Sequence, residues 1–283
     1  VFTLRLCVCT EADTAPVQPS GLVMAQRKGT EKMPSKMARY KADLYRRYWK
    51  YQQAHFRVWQ EYFDRPIAPG ARPPVFQKDH AWRNVLVAPN ACQQEVDQLL
   101  DLLPESGRHK WFRSMNSSQA LAQSVFGNLA IYGCLSSLAD LQDDEGMRLL
   151  GNAPTSSNLF FMEFRVDYLG EPRNTGVDCY LAGNYRVAIE CKFTESEVGT
   201  CSRPRLSHAD PARCNGTYTK QGARIERCAL TDSGVLYWRY VPQLFHWDRA
   251  KDMSPCPLRA NYQLVRNVLA AGVRPDGHVS KDN

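Results

Sequence analysis

The 283 residues carry 36 lysines and arginines against 29 acids, a formal net charge of +7, with 43% hydrophobic and 23% charged residues. This balance is ordinary for a globular chain long enough to bury a sizeable core, and the positive excess favours a polyanionic partner, because lysine and arginine displace counterions from phosphates. No run of about 18 apolar residues is present, which excludes a conventional membrane-spanning helix. The opening VFTLRLCVCT lacks a basic leader followed by an apolar run, so the ten cysteines are read in a reducing, cytoplasmic setting rather than as a disulfide framework.

Residues 1–34 read as a polar extension with proline and serine, expected to lack order, in which Met24 or Met33 is a candidate start. Over 35–63, Tyr45, Tyr48, Trp49, Gln52, Phe56, Trp59 and Phe63 recur at helical spacing while Lys41, Arg46, Arg47 and Lys50 cover other faces. The pattern predicts one long basic amphipathic helix, an arm that either lies along nucleic acid or docks its aromatic stripe on the main body. RPIAPGARPP, within 64–74, has the punctuation of a linker. It divides the chain into the 1–34 extension, an arm and linker over 35–70, a main domain over 71–272 and a loose tail over 273–283.

Residues 84–87 suggest a short strand. Asn90 is a good cap for a helix over 91–103 whose Val96, Leu99, Leu100 and Leu103 form an apolar stripe. His80 and His109 stand alone and read as surface residues. Ser117 caps a further helix with Leu121, Val125, Leu129 and Tyr132 on one face and Gly133 as its stop. Gln119 falls in its first turn. Residues 139–145, ADLQDDE, read as a solvated acidic stretch.

The stretch 163–195, EFRVDYLGEPRNTGVDCYLAGNYRVAIECKFTE, reads as three short strands joined by Gly- and Asn-containing turns. Glu190 and Lys192 stand two residues apart on a mostly apolar strand and so point to one face. Burying that pair without a partner or a metal would cost several kcal/mol, roughly. A divalent metal held by Asp178 and Glu190 would offset the cost, since both supply the hard oxygens that Mg²⁺ prefers. The two carboxylates share a face only if the loop between their strands is odd, most simply 182–184, with Asp178 opposite Ala188.

Cys179 and Cys191 sit within these strands and read as small core residues. Further on come Cys201, Cys214, Cys228 and Cys256. Four thiolates can bind a structural Zn²⁺ or an iron–sulfur cluster, with His208 or His246 able to replace one of them, but no C-x2-C knuckle is present and unbound reduced thiols explain the same letters. Residues 235–240, VLYWRY, read as another strand. The last helix, over 257–270, places Gln263, Arg266 and Asn267 on one side.

At Gly176-Val177-Asp178 and Glu190-Cys191-Lys192 the chain resembles the two half-motifs of the PD-(D/E)XK nuclease superfamily, with Val177 where the family usually has proline. The resemblance extends to the helix from Ser117 to Gly133 and to Tyr262-Gln263-Leu264-Val265-Arg266-Asn267, covers roughly 111–270, and looks like an uncharacterised bacterial branch. It implies an α/β fold, a restriction-endonuclease-like mixed central sheet flanked by helices, here preceded by the basic helical arm. It implies a Mg²⁺- or Mn²⁺-dependent nuclease acting on nucleic acid, DNA above all, and leaving a 5′-phosphate. Asp178 and Glu190 would hold the ion with the Cys191 carbonyl as a further ligand, and Lys192 would position the attacking water. Glu163 would hold a metal-bound water or accept a proton, and Arg266 would hold a phosphate. Gln119 and Gln263 would border the site, and exposed polar faces explain the same letters. Some members of the superfamily also carry a cysteine-ligated cluster. The alternatives are a nuclease-fold protein that binds nucleic acid without cutting it, and a cysteine-ligated scaffold module.

Overall fold

The structure, a computed structural model, describes residues 2–5, 35–65, 70–148, 150, 159–172, 175–183, 186–195, 199–203, 214, 216–221, 224–245, 247 and 253–280. Its centre is a meander of β2 (Leu159–Val166), β3 (Thr175–Ala182) and β4 (Val187–Lys192), extended on the outer edge of β4 by a parallel strand, β1 (Phe2–Arg5). The order is β1-β4-β3-β2, a mixed sheet. β4 is buried from Val187 to Cys191, Glu190 included, as a central strand covered on both faces requires.

Each face of the sheet has its own apolar layer. Cys179, Leu181, Ile189 and Cys191 meet Ala122 and Phe126 on one side. On the other, Tyr180 and Ala188 share a cluster with Leu230 of α5 (Ala229–Asp232), Trp238 and Val241 of α6 (Tyr237–Leu244) and Val265 and Leu269 of α7 (Pro257–Gly272). A satellite core forms around Leu99, Leu103 and Phe112 beside α2 (Gln93–Asp101). Each fully buried Leu, Val or Phe contributes roughly 1.5–3 kcal/mol. None of the described helices is long and apolar enough to cross a membrane.

The helical arm, α1 (Lys36–His55), is capped by Ser35, whose hydroxyl accepts the Ala38 amide at 3.2 Å. It docks on the body. Tyr45 and Gln52 are buried, the Tyr45 hydroxyl accepts from Asn116, and the Trp49 indole donates to the Arg72 carbonyl at 2.7 Å. The helix stops at His55, short of the expected residue 63. Phe56 instead packs edge-on against Phe63, which stacks on Phe76 at 4.2 Å across an antiparallel bridge, so the chain must double back.

Several other expectations are corrected. Residues 2–5 of the extension form strand β1, because the outer edge of β4 would otherwise leave backbone groups unpaired; residues 6–34 lie outside the described residues. No strand forms over 84–87: a 3₁₀ helix (Lys78–Asn84) ends there, and the Asn84 amide donates to the carbonyls of Phe112 and Ser114. α2 begins after Cys92 rather than Asn90, with Glu95 accepting the Cys92 amide at 2.7 Å. Ser117 does cap α3 (Ser118–Ala122), but a π-helical turn (Gln123–Gly127) intervenes before α4 (Asn128–Ile131). That turn rotates the buried face onto Gln119, Ala122, Gln123 and Phe126, leaving Tyr132 exposed.

Residues 235–240 are not a strand. Tyr237, Trp238, Tyr240 and Val241 bury at helical spacing in α6, and a short apolar run of this kind reads alike in either conformation. The tail is packed through residue 280: Val273 is buried, Val273 bridges Val279, and the Ser280 amide donates to the Gly272 carbonyl.

Gly170 adopts φ +72°, and a Cβ there would collide with the Gly234 carbonyl. Gly170→Ala is therefore expected to cost about 2–3 kcal/mol, read as a lowered urea midpoint with an unchanged slope.

Candidate active site

The site forms where the sheet's pairing fails. The β2–β3 ladder pairs Met162 with Cys179 and Phe164 with Val177 but skips the position between, Glu163 and Asp178. Glu163 has φ +48°, a left-handed conformation that is costly for a residue with a Cβ and that gathers at functional sites. The β3–β4 ladder stops at Cys179–Ile189, one step short of aligning Asp178 with Glu190. Beyond it Asp178 spends its carboxylate on the Cys191 amide, at 2.7 Å, while β4 pairs with β1.

The register that achieves this is not the expected one. Tyr180, not Asp178, stands opposite Ala188. The parity of the connection is odd as expected, so Asp178 and Glu190 still line one cleft, but they are brought level rather than diagonal. Tight packing of Tyr180 beneath α7, its hydroxyl donating to the Ala270 carbonyl, favours this alignment.

Glu190 is the hub, only 3% exposed. Its Oε1 accepts from Lys192 Nζ at 2.8 Å and from Gln263 Nε2; its Oε2 accepts from Asn267 Nδ2 at 2.8 Å and lies 3.8 Å from the Arg266 guanidinium. Lys192 Nζ also donates to Gln263 Oε1 at 2.9 Å. Gln119, buried on α3, donates to Glu163 at 2.6 Å and to the Gly107 carbonyl, and accepts the His109 amide. Two glycines make room for these groups: a Cβ on Gly176 would strike the Glu163 carboxylate, and one on Gly199 would strike Gln263.

The electrostatics follow from crowding acids in a poorly hydrated place. Burial, and then the charge of Glu190, push the Asp178 carboxyl up to about 8, against the restraining Cys191 amide. Burial also raises Glu163, with its bond to Gln119 opposing. A site that holds Asp178, Glu190 and Glu163 with Lys192 and Arg266 favours added positive charge. Among the described residues no three His, Cys, Asp or Glu side chains already surround one ion position; Glu190 is taken up by nitrogen donors instead. The donor set is nevertheless of hard oxygens, and Mg²⁺ commonly binds through only one or two carboxylates while keeping several waters.

These groups form the floor of a cleft of about 970 Å³ whose walls include Lys41 and Trp49 of the arm and Arg72, Arg108 and Arg113. Arg113 is paired with Asp64. His109, expected to be an isolated surface residue, is exposed but lines this cleft.

The structure thus gathers Glu163, Asp178, Glu190, Lys192, Gln119 and Gln263, and places Cys191 beside them with its side chain in the opposite apolar layer. Arg266 is corrected: 4% exposed and bonded to the Gly176 carbonyl and Asn267, it is tied into the site's foundation and is not presented to a phosphate. His208 and His246 lie outside the described residues. Sequence reasoning placed Asn267 on the helical face of Gln263 but gave it no role, and it passed over Asn116. Asn116 joins Tyr45 of the arm to Thr194 just past β4, a link with no local signature.

The family model of REase-ARP, described as restriction endonuclease associating with ARP, matches residues 25–279. The chain belongs to that family. No curated protein and no solved structure matches it. The REase-ARP match takes in the arm, the whole cleft and the four late cysteines, and leaves β1 outside. Within this REase-ARP member, Asn267→Ala would leave one buried oxygen of Glu190 without its neutral donor. The expected cost is about 1–3 kcal/mol, measured by denaturant unfolding.

Proposed function

We propose that this protein is a metal-dependent nuclease of the PD-(D/E)XK type, built on a restriction-endonuclease-like core, which hydrolyses phosphodiester bonds of DNA. The observation that carries the reading is the convergence of Asp178, Glu190 and Lys192 on the floor of one cleft whose walls carry basic residues. Such a cleft suits a polyanion: side chains such as Lys41, Arg72 and Arg108 would neutralise flanking phosphates while one phosphate descends to the acids. The family's description favours DNA over RNA.

Asp178 and Glu190, with the Cys191 carbonyl, would hold Mg²⁺ or Mn²⁺. When bound, the ion lowers the pKa of water and offsets charge on the phosphoryl group. Lys192 sits at the edge of this set, 13% exposed, where its ammonium can orient a water and stabilise negative charge developing on the phosphoryl oxygens. Glu163, its carboxyl raised by burial and so made a stronger base, is suited to accept a proton. Gln119 and Gln263 position Glu163 and the Glu190–Lys192 pair. Residues 71–272 carry this domain in our reading, with the 35–70 arm closing one side of its cleft, in a cytoplasmic protein.

The test is cleavage of end-labelled single- and double-stranded DNA and RNA by the purified chain, with Mg²⁺ or Mn²⁺ and with EDTA. Metal-dependent cutting of DNA is expected. Binding of DNA with no cutting in either metal would replace the reading with a nuclease-fold binding protein.

A further inference from the structure

The four late cysteines are far apart in sequence and meet in the fold. Cys201, Cys214, Cys228 and Cys256 line one closed-in cavity of about 10 Å³, with Arg203 and Arg259 also on its wall. All four are free thiols, Cys214 and Cys228 buried and the other two half-buried. Burial pushes the Cys201 and Cys256 thiols up, and the neighbouring cysteines raise them further, Cys228, Cys201 and Cys214 acting on Cys256, and Cys228 and Cys214 on Cys201.

Backbone bonds from separate segments hold the group together. The Cys201 amide donates to the Arg259 carbonyl at 3.0 Å and the Cys256 amide to the Gly216 carbonyl at 2.8 Å. Tyr218 and Met253 exchange two backbone bonds between them, and Tyr218 stacks on Trp238 at 4.1 Å. Two sulfurs already accept backbone amides two residues on, Cys201 from Arg203 and Cys256 from Leu258. Such donors stabilise a thiolate ligand and fix its direction.

We propose that Cys201, Cys214, Cys228 and Cys256 form a tetrathiolate site for one structural zinc ion, separate from the acidic cleft. Four thiolates are the donor set of closed structural zinc sites. The cavity has room for about one water-sized sphere, the space that a single ion needs. Four thiolates around a dication carry two net negative charges, and Arg203 and Arg259, both on the cavity wall, carry positive charge that would offset them. The sulfurs are not yet set around a common point, so zinc draws them in, to about 2.3 Å from the ion. The ion would staple the long connection after β4 to the start of α7, whose Cys256 is the residue before Pro257 and whose next turns carry Gln263, Arg266 and Asn267.

The experiment uses the full chain, purified untagged under reducing conditions, with metal content measured by mass spectrometry and thiols mapped by alkylation before and after chelation. One zinc per chain is expected, with these four cysteines protected until zinc is removed while Cys92 and Cys134, both exposed, react throughout. Cys256→Ser and Cys214→Ser should lose the zinc, and Asp178→Asn should keep it. The assignment is overturned if the folded wild type binds no zinc when zinc is supplied, if zinc binds without protecting these four, or if the chain carries iron with a brown chromophore. Should the serine variants fail to fold, the protection map of the wild type decides alone.

Discussion

Lys192→Ala is expected to lower the rate of DNA cleavage by about 10³-fold while the chain remains folded. The ammonium is held at 2.8 Å from Glu190 and 2.9 Å from Gln263, the only partly exposed cation on the floor of the cleft among its described residues. Its removal takes away the group best placed to orient water and stabilise charge on the reacting phosphate. Glu190 is not stranded by the change. Asn267 still donates to its Oε2, Gln263 to its Oε1, and Arg266 lies 3.8 Å away, so the penalty of an uncompensated buried charge is largely avoided. The loss should therefore fall on kcat, with DNA affinity and the circular dichroism spectrum close to wild type. A variant that cuts at the wild-type rate would remove Lys192 from the chemistry.

Asp178→Asn is expected to abolish metal-dependent cleavage and, without metal, to make the protein more stable than wild type at about pH 8. The carboxyl's ordinary pKa is 3.8, and burial beside Glu190 raises it to about 8 in the folded protein. The fold therefore prefers the protonated form. Its contribution to stability is fully present below about pH 4 and is lost as pH rises towards about 8, because the unfolded chain releases the proton more readily. Asparagine is always neutral and keeps an oxygen for the Cys191 amide, which donates to Asp178 at 2.7 Å. Melting curves in EDTA should show wild type losing stability from about pH 5 to pH 8 while the variant changes less. Mg²⁺ or Mn²⁺ should raise the wild-type midpoint at high pH and leave the variant unmoved. Equal pH profiles, with equal response to metal, would refute both the strained carboxylate and its role as a ligand.

How far these residues could be read in advance depended on the range of the forces acting on them. The β2–β4 meander and the cap at Ser117 declared themselves in local pattern, because strand alternation and N-capping act over a few residues. Residues 235–240 did not, since an apolar run buried on several sides has the same composition in strand and helix, and packing of Trp238 against Tyr218 selects the helix. Arg266 carried the letters of a phosphate ligand, but only the approach of α7 to β3 and β4 shows its guanidinium held by the Gly176 carbonyl beside Glu190. Strand β1 could not be foreseen, because its reason for existing is an unpaired edge about 185 residues further along.

Residue identity and short spacing settled the chemical inventory: two acids and a lysine on apolar strands, a glutamine-bearing last helix, a basic surplus and four scattered thiols. Long-range packing settled what that inventory adds up to. Glu163 joins the acids because β2 is bent at a missed ladder pair, the arm walls the cleft because Tyr45 reaches Asn116, and the cysteines meet because distant backbone segments bond to each other. These outcomes turn on which strand lies level with which and which helix face turns inward, and both are decided by burial summed over the whole chain, beyond what any local stretch encodes.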